Sequence, residues 1–422
     1  MSVRKKLIVI GGGFAGIQLV RNLDENLFDI LLIDKINHHQ FQPLFYQVAT
    51  SQIEPSSISF PLRNIFKNKK NLQIRLAEVT AVDTITKNIV TSIGDFEYDY
   101  LVMAMGCTTN FFGNTKIEKN ALTLKSTYDA ITIRNHIIQT FEDIISADEI
   151  EKSSLYNLVI VGAGPTGVEL SGAFAEIKSN ILPKDYPAID FSKFNVILVE
   201  GSKHTLNNMS EKSKVDSQKY LTQLGVKLYT ELFVKDYDGA QLTLSNGEVI
   251  PTKTVIWSAG VIGNSIEGFP VSSITPSQRL KVNRFNQVDS VIDVFAIGDI
   301  CYMETPNYPK GHPQVANVAI NQAKLLAKNL KKIILQKSTR EYEYRDLGSM
   351  ATIGRNKAVA DISSFHFRGY FAWLIWMFLH LMLILSVKNK LIIFIQWAWA
   401  YVTKDTSLRL ILTPSKRKNL SG

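Results

Sequence analysis

Cysteine is nearly absent from this 422-residue chain, which carries only Cys107 and Cys301, 194 positions apart. Two thiols so distant match no C-x-x-C or C-x4-C pattern and no metal-ligand cluster, and they are too few for a disulfide framework. No metal is expected, and a reducing compartment is. Long apolar runs are also scarce near the start. After Arg4-Lys5-Lys6 the apolar stretch covers only Leu7 to Ile10, too short for the core of a signal peptide, and no A-x-A site follows. It reads as a first strand. Acids are nearly missing from residues 386–422, where seven Lys/Arg face Asp405 alone, out of a formal net charge of +9. Beside apolar helices, such a basic tail points to an anionic membrane surface rather than to nucleic acid. Low-complexity segments are absent. With 45% hydrophobic and 20% charged residues, the composition is that of a globular protein with room for two or three cores.

What is present is glycine in two ordered groups. Leu7-Ile8-Val9-Ile10 runs into Gly11-Gly12-Gly13-Phe14-Ala15-Gly16, and Leu158-Val159-Ile160-Val161 runs into Gly162-Ala163-Gly164-Pro165-Thr166-Gly167. Each fits G-x-G-x-x-G between a buried strand and a helix. In that pattern the first Gly makes the tight turn, the second lets backbone N–H groups approach a pyrophosphate, and the third allows close helix–strand packing. One copy is weak support for anything. Two copies, each followed by an acid at a strand end, imply a pair of dinucleotides brought together to pass a hydride between nicotinamide and flavin. The first acid is Asp34, closing Phe28 to Asp34, 18 residues past Gly16 and near the spacing expected for a ribose-binding carboxylate. The second is Glu200, closing Val196 to Glu200. It lies 33 residues past Gly167, so its assignment needs 180–193 to be an excursion. A carboxylate there repels a 2′-phosphate and favours NADH over NADPH.

Further strands are expected at Tyr98–Met105 before Gly106, Gln241–Leu244, Val249–Ile250, Val255–Trp257 before Gly260, and Val294–Asp299. Helices are expected from Phe14 to about Leu23, from Thr127 to Ile145, and from near Pro313 to about Leu335. Gly369 to Val387 is 19 residues without a charged side chain, and a second apolar run covers Leu391 to Val402. The first is barely long enough to span a bilayer. Trp, Tyr and flanking Lys/Arg favour two helices lying in one leaflet, with a true span or a protein interface as the other readings.

Chemistry can be attached to three of these places. Asp299, in Gly298-Asp299, suits the ribityl hydroxyls of a flavin, and the following helix would aim its N-terminal dipole at the flavin's pyrimidine edge. Glu169, at the start of the helix after the second glycine group, suits holding charge or a proton beside the stacked rings. It equally suits a plain first-turn acid complementing the helix dipole.

On Asn37-His38-His39-Gln40-Phe41-Gln42-Pro43-Leu44-Phe45-Tyr46-Gln47-Val48-Ala49-Thr50, Gly164 to Leu170, Ala296-Ile297-Gly298-Asp299 and the tail from Ala351 through Trp399, the chain resembles a type II NADH dehydrogenase, the single-subunit, non-proton-pumping NADH:quinone oxidoreductase. The resemblance implies an α/β protein with two Rossmann-like dinucleotide-binding domains and a C-terminal membrane-docking helical segment. The flavin domain is expected over 1–115 and 261–340, the NADH domain over 116–260, and the anchor over 341–422. FAD would be held by Gly11, Gly13, Phe14, Ala15, Gly16, Asp34, Val79, Gly106, Asp299 and Ala316. NADH would be held by Gly162, Gly164, Gly167, Glu169, Glu200 and Gly260, with Glu169 catalytic. Quinone would meet Gln314, Asn317 and Asn321. No nucleic acid is expected, a homodimer is possible, and the implied place is the cytoplasmic face of the inner membrane. The family's A-Q-x-A-x-Q pattern is here Ala316-Asn317-Val318-Ala319-Ile320-Asn321, with shorter amides that bear on quinone affinity. Met105 and Asp34 also depart from the common pattern. Rival readings are a sulfide, disulfide or ferredoxin-type reductase, and a membrane-tethered sensor that binds both cofactors without quinone turnover.

Overall fold

The computed structural model describes residues 4–264, 266–406 and 408–412. Of the basic tail, Lys416, Arg417 and Lys418 fall outside them. The chain packs as two compact units, one from residues up to Gln40 with Phe60–Thr108 and Val261–Asp346, the other from Phe41–Ser59, Thr109–Gly260 and the rest from Leu347. Residues 41–59 thus pack with the second unit, although they lie within the 1–115 stretch.

Each unit is built on a five-stranded parallel sheet. In the first, the strand order is Val294–Ala296, Tyr100–Met103, Lys5–Ile10, Phe28–Asp34 and Leu72–Leu76. The central strands are rich in Ile, Leu and Val, as expected where both faces of a parallel sheet are covered, whereas the edge strand Leu72–Leu76 exposes Gln73 and Arg75. Leu7, Val9, Leu32, Ile33 and Val102 are fully buried. From Lys5–Ile10 the chain passes to Phe28–Asp34 on one side, and Tyr100–Met103 later joins the other side. That reversal opens a crevice beyond the strands' carboxyl ends, where ligands of such sheets bind. The glycines of 11–16 and Gly106 line it.

The second unit repeats the plan. Its order is Leu122–Thr123, Thr254–Trp257, Asn157–Val161, Asn195–Val199 and Lys227–Tyr229, again all parallel. The long gap before Glu200 is an excursion, with the helix Pro165–Asn180 followed by a short helix, Leu182–Asp185, and a loop. Each unit also carries a small antiparallel sheet, Val79–Asp83 with Asn88–Thr91 and Gly94–Glu97 in the first, and Val234–Tyr237 with Gln241–Leu244 and Val249–Pro251 in the second.

The C-terminal part of the second unit is a three-stranded antiparallel sheet, Ser349–Thr352, Ala358–Ile362 and Phe365–Arg368, then helices Gly369–Leu383 and Val387–Thr403. The 19-residue apolar run is not one helix. Ile384 leaves the helical region (φ −62°, ψ 134°) and Ser386 caps the next helix through the Asn389 N–H. Among the described residues no helix is long and apolar enough to cross a membrane, so a spanning helix over 369–387 is set aside. The helices bury Ala372, Trp376, Ile393 and Trp397 inward. Outward they show large apolar side chains, among them Phe371 (73% exposed), Phe378, Phe394, Ile395 and Trp399.

The helix Pro165–Asn180 lies close on the strand Ser349–Thr352 because residue 172 is glycine. A Cβ at Gly172 would come within 2.8 Å of the Ile353 backbone. Gly172→Ala is expected to destabilise the fold by about 1–3 kcal/mol, the range for overpacking, read from a denaturant midpoint. An unchanged midpoint would contradict the close approach.

Candidate active site

The two glycine turns share one hydrogen-bond pattern. At the first, Asp34 Oδ2 accepts from the Gly12 N–H (2.5 Å) and Oδ1 from the Ile36 N–H (2.9 Å). At the second, Glu200 Oε2 accepts from the Ala163 N–H (2.7 Å) and Oε1 from the Ser202 N–H (2.8 Å). The extra methylene of Glu200 changes nothing in this scheme. Each acid braces the turn and keeps lone pairs for a further donor such as a ribose hydroxyl. Burial raises the Asp34 carboxyl above its ordinary value, with the N–H donors offsetting part of the rise.

Within each turn the three glycines differ. A Cβ on Gly11 or Gly162, both at positive φ (106° and 97°), would strike the backbone just past the neighbouring strand, at Ala104 or Ala259. On Gly16 or Gly167 it would strike the carbonyl of Gly11 or Gly162, the close helix–strand contact. On Gly13, Gly164 or Gly106 it would meet no atom within 4 Å. Those positions border open crevice, the space a pyrophosphate and its sugars need. Gly260 is favoured by its backbone, since φ is 70°, a conformation that residues with side chains rarely adopt.

Helix caps point the same way. The helices Thr127–Ser146, Glu149–Leu155 and Glu211–Gln223 begin with Ser or Asp side chains that accept first-turn N–H groups. Phe14–Asn22, Pro165–Asn180 and Ala316–Ile334 begin without any side-chain cap, at Gly13, Gly164 and Val315. Their first-turn N–H groups and dipoles suit an anionic or carbonyl acceptor. Both crevices therefore fit a dinucleotide.

The last of these helices starts at Ala316, not near Pro313. Gln314 holds the preceding segment extended, its Nε2 donating to Cys107 Sγ (2.8 Å) and to the Asp299 carbonyl (3.3 Å). The expected strand over 294–299 likewise ends at Ala296 and turns into a short 3-10 helix, Gly298–Ile300, which carries Asp299. Val79 opens a small antiparallel strand and is buried in the first unit's core. Met105 packs partly buried against the same core. Phe14 and Ala15 sit in the first turn of their helix, with Phe14 edge-on to His39 at 5.0 Å. Asn317 and Asn321, one helical turn apart and half-buried, have side-chain amides with no protein hydrogen-bond partner among the described residues.

Glu169 lies in the second unit and is 8% exposed. Its Oε1 accepts from the Thr352 N–H at 3.3 Å. Burial pushes its carboxyl up to about 8, with the Thr352 N–H offsetting part of the rise. The Trp376 indole N–H lies near enough to contribute to that offset without closing a hydrogen bond of good geometry. A polar chain continues from there. Thr352 Oγ1 bonds the Tyr46 hydroxyl (3.1 Å), Gln47 Nε2 donates to that hydroxyl (3.0 Å), and Trp397 Nε1 donates to Gln47 Oε1 (2.7 Å). Burial, then the Glu169 charge, raises the Tyr46 phenol. All these groups line a cavity of about 330 Å³ within the second unit.

Sequence reasoning missed Tyr46, Gln47 and Thr352 as a network, because Tyr46 and Thr352 lie 306 positions apart. It also missed His39. Burial drives that imidazole down to about 4, so it is neutral, and its Nδ1 donates to the Gly12 carbonyl (3.2 Å), steadying the first turn. The segment 37–50 was singled out only by resemblance.

Comparison with known proteins agrees with this geometry. A family model described as pyridine nucleotide-disulphide oxidoreductase matches residues 5–323, and one described as the NDH2 C-terminal domain matches residues 347–405. A type II NADH:quinone oxidoreductase of Mycobacterium tuberculosis is 33% identical over 420 residues, covering 95% of this chain and 89% of that protein. The chain belongs to the type II NADH:quinone oxidoreductases. Its family includes the Staphylococcus aureus enzyme, 28% identical over 85% of this chain and 90% of that protein. The fold matches NDH2 from Plasmodium falciparum, solved in complex with NADH, with a TM-score of 0.89 at 21% identity, covering 97% of this chain and all of that one. Family membership sets aside the sulfide, disulfide, ferredoxin and sensor readings. Cys107 and Cys301 form no disulfide with each other.

Proposed function

We propose that this chain oxidises NADH through non-covalently bound FAD and passes two electrons to a membrane quinone without moving protons across the membrane. The observation that carries this is the duplicated cradle: two open glycine turns, each braced by a strand-end carboxylate, each opening an uncapped helix. FAD goes to the first, with Asp34, Val79, Gly106, Asp299 and Ala316 around it, and NADH to the second, with Gly164, Glu200 and Gly260. Bound there, FAD would supply a two-electron acceptor for the NADH hydride and a donor for the quinone.

This chain's own residues bind, orient and supply protons. Asn317 and Asn321 offer amides to the quinone, whereas the Gln314 amide N–H is already engaged with Cys107 and Asp299. Glu169, protonated at neutral pH, is the proton-bearing group. The apolar face of the two C-terminal helices, flanked by Lys388, Lys390 and Lys404, docks in the cytoplasmic leaflet. The flavin domain is assigned to 1–115 and 261–340, the NADH domain to 116–260, and the anchor to 341–422.

The purified protein is expected to reduce a short-chain quinone with NADH at a rate proportional to its FAD content. A flavin-free protein, or one that reduces only soluble acceptors, would overturn the proposal. Glu200→Ala is expected to raise the KM for NADH about 10–100-fold, the range for a lost charged hydrogen bond, and to narrow discrimination against NADPH. An unaltered cofactor preference would remove Glu200 from the ribose site.

A further inference from the structure

We propose that Arg279 is a positioning residue of the flavin-binding turn, a buried unpaired cation that fixes the main chain carrying Asp299 and thereby raises the reduction potential of the flavin held there. The proposal rests on the assignment of FAD to the first unit.

The turn Gly298–Ile300 is held almost entirely by side chains from elsewhere in that unit. Arg279 Nε donates to the Asp299 carbonyl at 2.9 Å, and its Nη2 donates to the Cys301 carbonyl. The planar fork thus bridges two carbonyls on either side of Ile300. The same Asp299 carbonyl also receives the Cys107 thiol (3.2 Å) and the Gln314 amide (3.3 Å). Gln322 Oε1 accepts the Gly298 N–H at 2.8 Å, and Asn286 Nδ2 donates to the Ala296 carbonyl at 3.0 Å. Arg279 is itself fixed. Its backbone exchanges bonds with Thr275, and its guanidinium stacks 5.4 Å over the Tyr302 ring.

Arg279 is 8% exposed, and the hydrogen-bond partners of its guanidinium among the described residues are two carbonyls, not a carboxylate. Guanidinium stays charged in proteins, and burying a charge without a counter-charge is unfavourable. Two carbonyls and an aromatic face supply only partial compensation. Were FAD held at this turn, the anion of its reduced form would supply the missing charge, and the cation would favour the reduced over the oxidised form. Lysine would keep the charge but offers a point donor instead of a fork across two carbonyls.

The test compares wild type, Arg279→Lys and Arg279→Met. The readouts are FAD-to-protein ratio, FAD dissociation constant, flavin midpoint potential by dye-coupled titration, and thermal midpoint of the FAD-stripped protein. Arg279→Lys is expected to weaken FAD binding about tenfold at near wild-type potential, with the stripped protein melting as wild type does. Arg279→Met is expected to weaken FAD binding similarly and to shift the reduced-to-oxidised binding ratio about tenfold, a fall of about 30 mV for a two-electron couple. Wild-type FAD affinity in the lysine variant, or wild-type potential in the methionine variant, would overturn the proposal. If the methionine variant does not fold, the lysine variant decides alone, through its FAD affinity. Wild-type protein that takes up no FAD would instead overturn the flavin assignment itself, and this inference with it.

Discussion

Glu169→Gln is expected to slow NADH-to-quinone turnover by about 10²–10³-fold, within the range for a lost general acid. NADH oxidation by a soluble one-electron acceptor should stay within a few-fold of wild type. The reason is the state of the carboxyl. Buried to 8% exposure and raised to about 8, it is mostly protonated at pH 7, so glutamine reproduces its shape and neutrality but has no proton to give. Wild-type quinone turnover is expected to hold through neutral pH and fall as pH rises through about 8, and the variant should lack that limb. Stability carries a second signature. Between the ordinary value of 4.5 and about 8, the folded protein binds the proton more tightly than the unfolded chain. Stability therefore declines with rising pH across that window, by up to about 1.4 kcal/mol per pH unit from this group. The glutamine variant should show a shallower decline. A variant with full quinone turnover and an unchanged pH profile would remove Glu169 from proton delivery.

The second large effect is on membrane association. Replacing Phe371, Phe378, Phe394, Ile395 and Trp399 together by serine is expected to release the protein from vesicles into solution. At about 1.5 kcal/mol or more for each large apolar side chain withdrawn from water, partitioning should fall by more than about 10³-fold. These side chains face outward, so folding and FAD loading should survive. Deleting residues 369–422 is a poorer test. It would also remove Trp376 and Trp397, which fill the second unit's interior, and the bond from Trp397 to Gln47. A soluble truncation would then report damage as readily as lost anchoring. If the five-serine protein still pelleted with vesicles, the apolar face would not be the docking surface. Its turnover with lipophilic quinone should fall while activity with a soluble acceptor persists.

Much of the fold was legible because parallel strands and glycine turns leave local signals. The strands Phe28–Asp34 and Gln241–Leu244 have the bounds expected from their apolar runs, and the helix Thr127–Ser146 extends one residue beyond expectation. The capping box at Ser126 and Asp129 marks that helix start in the sequence itself. The break at Ile384 was less visible, because hydropathy carries no information about backbone direction inside an apolar run. Ser386, an N-cap type three residues before Asn389, was the available signal.

Site residues divide the same way. Asp34 and Glu200 were legible because each follows its glycine turn on the next strand. Arg279, His39, Gln322 and the pair Tyr46 and Thr352 were not, since each acts on a backbone group or side chain brought near only by the fold. Pro313 suggested a helix start, but the bonds from Gln314 to Cys107 and Asp299 keep that segment extended, and no local pattern encodes a partner 207 positions away.

The central claim is that one chain joins an NADH cradle to a flavin cradle that empties into quinone. An anaerobic stopped-flow experiment on the purified protein, following flavin absorbance, tests it most directly. The account predicts a yellow protein that NADH bleaches in a single turnover and that a second mixing with quinone restores to the oxidised spectrum. Flavin that NADH leaves oxidised, or reduced flavin that quinone cannot reoxidise, would contradict it.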